Sequence, residues 1–443
     1  MTHALDSYTA EWERAGQLRG PRGSERLVRA REEALHRFLS LGFPTTREEE
    51  WRFTSVAPIA DTPFAVAASA PAEAGDGDVA PFRMPGTPAA ELVFLNGHYV
   101  PALSRQAALP RGARVESLKS ALAGGGDVEL HLGRIAAFDR NPFVALNTAF
   151  LDNGALITLP ERAILEQPLH LLFVATGGAG GRPIMAHPRV LVVAGAGSQV
   201  SIVETYAGSP GARYFTNAVT ELAVGENAVV DHYTLQYESA GAFHVGALHV
   251  QAQRSATCAA HSISMGGALV RNDVIAILDG EGAECTLDGL YVADERRLVD
   301  NHTTIDHARP HCSSREIYKG ILADRARGVF NGKIIVRPDA QKTDARQTNR
   351  ALLLSEQAQI NTKPQLEIFA NDVKCTHGAA VGQLDDEARF YLRSRGLSDA
   401  AARQLLIHAF AADVLNRLPL APVRAAVGDR LRRQLAGVLA AAA

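Results

Sequence analysis

The chain has 443 residues, of which 47% are apolar and 21% charged, and 45 Lys and Arg stand against 48 Asp and Glu for a net charge of −3. That length allows two to four domains with a sizeable core, and the composition excludes a disordered or fibrous chain. The absence of a basic excess argues against binding nucleic acid or an anionic membrane. Four cysteines, Cys258, Cys285, Cys312 and Cys375, are too few for a disulfide framework and fit a reduced compartment.

The first residues, MTHALDSYTAEWERAG, lack the apolar core of a signal peptide, and the longest apolar runs are strand-length, so the expected location is the cytoplasm, with no membrane span. Residues 1–60 read as helical. Ser24 suits an N-cap, Leu27, Val28, Leu35, Phe38 and Leu39 fall on one face, and Gly42 and Pro44 stop the helix. In the charged run TTREEEWRFTSV, Trp51 and Phe53 are expected to anchor this region to the next domain. Residues 61–90 are Ala, Pro or Gly at 17 of 30 positions, which is linker composition. Asn96-Gly97 between two apolar runs then predicts a type I′ hairpin.

From 91 to 385 the chain reads as β-rich. From about residue 130, short alternating strands recur between Gly, Asn, Asp and Ser turns. Aligning four turn-to-strand segments matches Val200, Val229, Cys258 and Cys285, spaced 29, 29 and 27. A strand-only repeat of that size predicts a β-solenoid in preference to a β-sandwich or barrel, with Cys258 and Cys285 as inward core rungs. After Asp385 the pattern is helical to residue 443. Asp386 to Arg395 ends at Gly396, Ser398 and Asp399 open a second helix, and Pro419 stops it. Leu405, Leu406, Ala409, Phe410, Val414 and Leu418 form a broad apolar stripe, suited to capping the solenoid, docking a partner, or both.

No phosphate loop, GxSxG elbow, HExxH, CxxC or strand-to-helix GxGxxG is found, so any nucleotide is expected on another chain. The most pointed motif is Lys374-Cys375-Thr376-His377-Gly378. In a strand, Cys375 and His377 share a face about 6.6–7 Å apart, and thiolate with imidazole suits zinc, ferrous iron or part of an iron–sulfur cluster. Two donors fall short of the four a closed site wants. Taken alone, the motif also fits a core cysteine beside a hydrogen-bonded histidine. His302, Asp306, His307, His311 and Cys312 crowd twelve residues without zinc-finger spacing and are expected to be structural. Residues 319–350 carry eight Lys and Arg against three Asp, expected mostly as a solvated face.

The run from Val299 to Leu397, including NHTTIDHARPHCSSREIYKG and KCTHGAAVGQLDDEARFYLRSRG, closely resembles the SufB/SufD family of iron–sulfur cluster assembly proteins. The resemblance extends over at least 190–418, and REEEWRFTSV and LVFLNGHYV also fit the family's N-terminal region. It is closer to the D-type than to the B-type members, and Asn371 stands where the family usually shows Asp. The resemblance implies a mainly β protein, with a right-handed parallel β-helix between helical N- and C-terminal regions. It also implies a non-enzymatic, non-ATPase scaffold subunit of a SufBCD complex. Such a subunit meets SufB through the β-helix end and holds a SufC ATPase on its C-terminal helices, where Phe390, Leu405, Leu406, Phe410, Val414 and Leu418 are the expected contacts. His377, with Cys375 beside it, would supply half of a site for iron or a transient iron–sulfur cluster at the SufB interface. The alternatives are a SufB-like scaffold that works as a homodimer, and a β-helix polysaccharide enzyme.

Overall fold

A computed structural model describes residues 2–19, 24–71, 73, 75–124 and 128–441. Two helices, Thr2–Arg19 and Glu25–Leu41, open the chain. The Ser24 hydroxyl accepts from the Leu27 amide, and Gly42 ends the second helix at a positive φ. Leu27, Leu35 and Phe38 are buried, but Val28 is exposed. Residues 61–90 carry short elements of their own, among them the strand Ala65–Val66 and the helical turn Asp76–Val79. Phe64, Val79 and Met84 in this stretch are buried, so the described part of the expected linker packs as structure. Positions 72 and 74 lie outside the described residues. The strands Ala90–Leu95 and His98–Tyr99 pair antiparallel across Asn96 and Gly97, both at positive φ, as the Asn-Gly signal predicts.

The core is a parallel β-solenoid in which successive strands alternate between two 11-stranded sheets. It begins at Gly154, because residues 142–149 form a fully buried helix with Asn141 as N-cap and Pro142 at its first turn. One sheet runs in register from Gln199–Gly208 through Val229–Tyr237, Thr257–Ser264, Glu284–Ala293, Ser313–Leu322 and Asp344–Leu353 to Lys374–Gly382. Its inward column reads Val200, Val230, Cys258, Cys285, Ser314, Ala345 and Cys375, at intervals of 27 to 31 residues.

The repeat alignment is therefore one residue out at its second member. Val230, not Val229, joins the column, because three consecutive apolar residues at 228–230 hide the two-residue alternation. Each coil enters the sheet two residues after a left-handed residue: Gly197, Asn227, Ser255, Gly282, His311 and Lys342 all have φ between 55° and 70°. These stacked turns bond to one another, as from the Gly282 amide to the Pro310 carbonyl and from the His311 amide to the Gln341 carbonyl. The Asn and Ser tolerate this conformation better than branched residues do.

The helices Asp386–Ser394, Asp399–Leu415 and Ala421–Ala441 close the chain. The last two lie along the outer face of this sheet and do not cap the solenoid end. Ile407, Ala411, Val414, Leu418, Val423, Val427, Leu431 and Leu435 pack on Val203, Tyr233, Leu235, Ile263, Leu290 and Ile321. Polar contacts fasten them. Lys319, buried in the sheet, donates to the Phe410 carbonyl at 2.8 Å, pairs with Asp413, and lies over the Phe410 ring. Arg417 reaches the buried Asp288 at 2.6 Å, and the Leu420 amide donates to Tyr233 Oη. Among the described residues no helix is long and apolar enough to cross a membrane.

Candidate functional site

Each of the two sheets ends in a strand paired on one side only: Gln359–Ile368 in one and Lys374–Gly382 in the other. The last coil covers the coil before it, and none of the described residues covers it in turn. Ile368, Phe369 and Val381 are exposed there. An open parallel edge with apolar side chains is a ready template for a further strand.

Cys375 and His377 both lie on this final strand, at inward positions. Cys375 continues the buried column of Cys258, Cys285, Ser314 and Ala345 and packs on Ala345, Val336, Ala340 and Ala370. It is half-buried, and burial pushes its thiol pKa up, so the free chain keeps it protonated. His377 sits one step along, in register with Gln347, which is in turn in register with Glu316. Its ring is exposed because the coil that would bury it is absent. The structure thus brings the two donors together on one open rim. No third or fourth ligand joins them, and among the described residues no three His, Cys, Asp or Glu side chains converge as a metal site. The donor types suit soft or borderline metals such as iron, and two donors fall short of the four a closed site wants.

The His302–Cys312 cluster disperses into five environments. His302 bridges Asp300 at 3.0 Å and Glu50 at 3.2 Å. Burial opposes its charged form, but the Asp300 carboxylate and its hydrogen bonds overcome that and raise its pKa. His307 is buried against Ser314, and His311 is a left-handed turn residue. Asp306 pairs with Arg337, while Cys312 is buried with its thiol directed at the Gly280 carbonyl. Cys258 and Cys285 adjoin each other inside the solenoid, where burial raises both thiols, Cys258 to about 12. Of the basic stretch 319–350, Lys319 serves the helices and Lys333, Arg337, Lys342 and Arg346 each face a nearby carboxylate, while Arg325 and Arg327 line an open cavity with Arg296.

Trp51 is buried beneath the Arg271 guanidinium, 4.3 Å from the ring centre, and holds the N-terminal region to the solenoid. Thr54 donates to Asp300 there, while Phe53 is exposed. Of the six expected docking residues, Val414 and Leu418 are fully buried inside the chain and Phe410 is engaged by Lys319, so these three serve internal packing. Leu406 is partly covered. Phe390 and Leu405 remain open at 72% and 49% exposure, beside the exposed Tyr391.

Reading residue types alone misses the polar inward column behind His377. Glu316 and Gln347 are both buried, and Gln347 Nε2 donates to Glu316 Oε2 at 2.8 Å. Burial pushes the Glu316 carboxyl up to about 7. The coil repeat, counted with the correct register, is the signal that would have placed both residues in line with His377.

Residues 174–410 match the family described as SUF system FeS cluster assembly, SufBD core domain, and residues 3–171 match the SufBD protein N-terminal region. The chain is 35% identical to an iron–sulfur cluster assembly SufBD family protein of Synechocystis sp., over 90% of this chain and 89% of that protein. It is 31% identical to the iron–sulfur cluster assembly protein SufD of Escherichia coli, over 98% of both chains. A chloroplastic protein of Arabidopsis thaliana, ABCI7, is 32% identical over 67% of this chain and 63% of its own length. A solenoid with one open end, a Cys-x-His on its rim and these likenesses along nearly the whole sequence lead to one conclusion: the chain belongs to the SufBD family of iron–sulfur cluster assembly proteins.

Proposed function

We propose that this chain is a scaffold subunit that stacks the open end of its solenoid on a SufB chain and contributes His377, with Cys375 beside it, to a site for nascent clusters. The observation that carries this reading is the last strand, Lys374–Gly382, which presents an imidazole and a thiol on a coil with a free edge. Strand pairing across that edge would continue the ladder and bring SufB side chains opposite His377. The cluster or its iron is cargo at this site, held by donors from two chains. Iron would draw the proton from the Cys375 thiol when the rim is covered, so the same residue can pack in the free chain and ligate in the complex. Association with a second copy is the alternative use of the same edge, and the partner that competes for it decides between them.

A SufC ATPase docks, on this reading, on the exposed side of the C-terminal helices around Phe390, Tyr391 and Leu405. Leu405 lies on the helix Asp399–Leu415, whose buried side packs on the sheet, and Arg389 ties the helix of Phe390 and Tyr391 to it through Asp399, so a push from the ATPase would reach the solenoid through Asp399–Leu415. Deleting 386–443 is a poor test, because it strips the cover from Val203, Tyr233, Leu235, Ile263 and Leu290. Point changes separate the surfaces. Val381→Glu places a charge on the open edge and should abolish co-purification with SufB while leaving SufC bound. Phe390→Asp with Leu405→Asp should do the reverse. Both complexes surviving both changes would sink the assignment of these surfaces.

A further inference from the structure

Resting on the reading of His377 as a ligand, we propose that Gln347 is a positioning residue for His377, its side-chain carbonyl accepting the ring N–H that does not face the cargo. Three observations converge on it. Gln347 and His377 are register partners on adjacent strands, about 4.8 Å apart at the backbone, and both side chains point inward. Gln347 is 1% exposed, and its Nε2 donates to Glu316 Oε2. Its Oε1, also buried, has no hydrogen-bond partner among the described residues.

The orientation of the amide follows from chemistry. An ionised carboxylate only accepts hydrogen bonds, so Glu316 draws the NH2 end of Gln347 toward itself. The carbonyl oxygen diverges from the nitrogen and is directed away from Glu316, and the column in that direction holds His377. Space for this pose is built into the opposite sheet. A Cβ added at Gly332 would come within 2.4 Å of Gln347 Nε2, so glycine there admits the long side chain across the solenoid interior.

A buried carbonyl left unpaired is unfavourable, and a ligating imidazole commonly donates its second N–H to such a group, which fixes its tautomer and ring orientation. The acceptor belongs to this chain, so a turn of the exposed His377 ring toward Gln347 Oε1 completes the bond without any residue of a partner. Gln347 touches no cargo itself.

The test uses the full-length chain labelled with 15N-histidine at pH 8, where Glu316 is ionised. His377 is assigned by the signals lost in His377→Asn. In the wild type it should hold a single neutral tautomer. Gln347→Met keeps length but removes the acceptor, and should give two interchanging tautomers. In the SufB-containing complex, Gln347→Met should weaken binding of ferrous iron by roughly 10–100-fold. A wild-type His377 already averaging between tautomers overturns the proposal without any variant, as does a tautomer unchanged in Gln347→Met. If His377→Ala supports normal cluster formation, the ligand reading fails instead, and the tautomer result then describes only a structural hydrogen bond.

Discussion

Replacing Glu316 by Gln should stabilise the protein at pH 8 and leave it unchanged at pH 5. Glu316 lies inside the solenoid, 4% exposed, with Gln347 Nε2 donating to it and no cation beside it among the described residues. Burial raises its pKa from 4.5 to about 7. A raised carboxyl pKa means the folded state holds the proton more tightly than the unfolded one. The contribution is fully present below pH 4.5 and is lost as pH rises to 7. A shift of that size corresponds to about 3 kcal/mol. A glutamine has nearly the same shape, accepts the same hydrogen bond and never ionises, so it removes the loss. For a chain of this length about 3 kcal/mol moves Tm by roughly 3 °C. Thermal unfolding of both proteins across pH 5 to 8 should give curves that coincide at the acid end and diverge by that amount at pH 8. An equal offset at every pH, or a variant less stable at pH 8, would refute the claim that burial of an ionised carboxylate is the cause.

Two further predictions concern how the flanking regions are held. The His302 pKa is raised by Asp300 and Glu50 against its burial, so the clasp on the N-terminal segment is strongest at acid pH and is lost as pH climbs through the raised value, above the ordinary histidine value of about 6.5. Glu50→Gln should move that loss to lower pH, seen as earlier proteolysis of the N-terminal region, and an unchanged pH profile would remove Glu50 from the clasp. Lys319→Met should cost about 1–2 kcal/mol by deleting the bonds to Phe410 and Asp413, and should speed amide exchange in Asp399–Leu415 with little change in the solenoid. Exchange unchanged in that helix would show that apolar packing alone fastens it.

Much of this was legible from local signals. Ser24, Asn96-Gly97, Gly396 and Ser398 act through bonds to neighbours within a few residues, so the sequence carries their whole message. Coil spacing revealed the solenoid and put Cys258 beside Cys285 because each coil has nearly one length. The slip at Val229 arose where three apolar residues in a row removed the in-out contrast. The burial of Val414 and Leu418 was invisible for a different reason. A helix stripe records that something covers it but not whether that partner is the same chain. His302 and Glu50 are 252 residues apart, and no periodicity links them. At the site, Cys-x-His was readable as a pair on one strand face, and the likeness to a family supplied its meaning. Gln347 and Glu316 join it only through the register of three stacked coils.

Cluster formation by the reconstituted complex of this chain with SufB and SufC, compared between wild type and His377→Ala, tests the central assignment most directly. Iron, sulfide and the visible absorption of the product report the cluster, and gel filtration confirms that the complex is intact. With His377 as a ligand from the solenoid rim, the complex should assemble normally while cluster yield falls by at least about tenfold. A full yield of cluster on an intact His377→Ala complex would contradict the assignment.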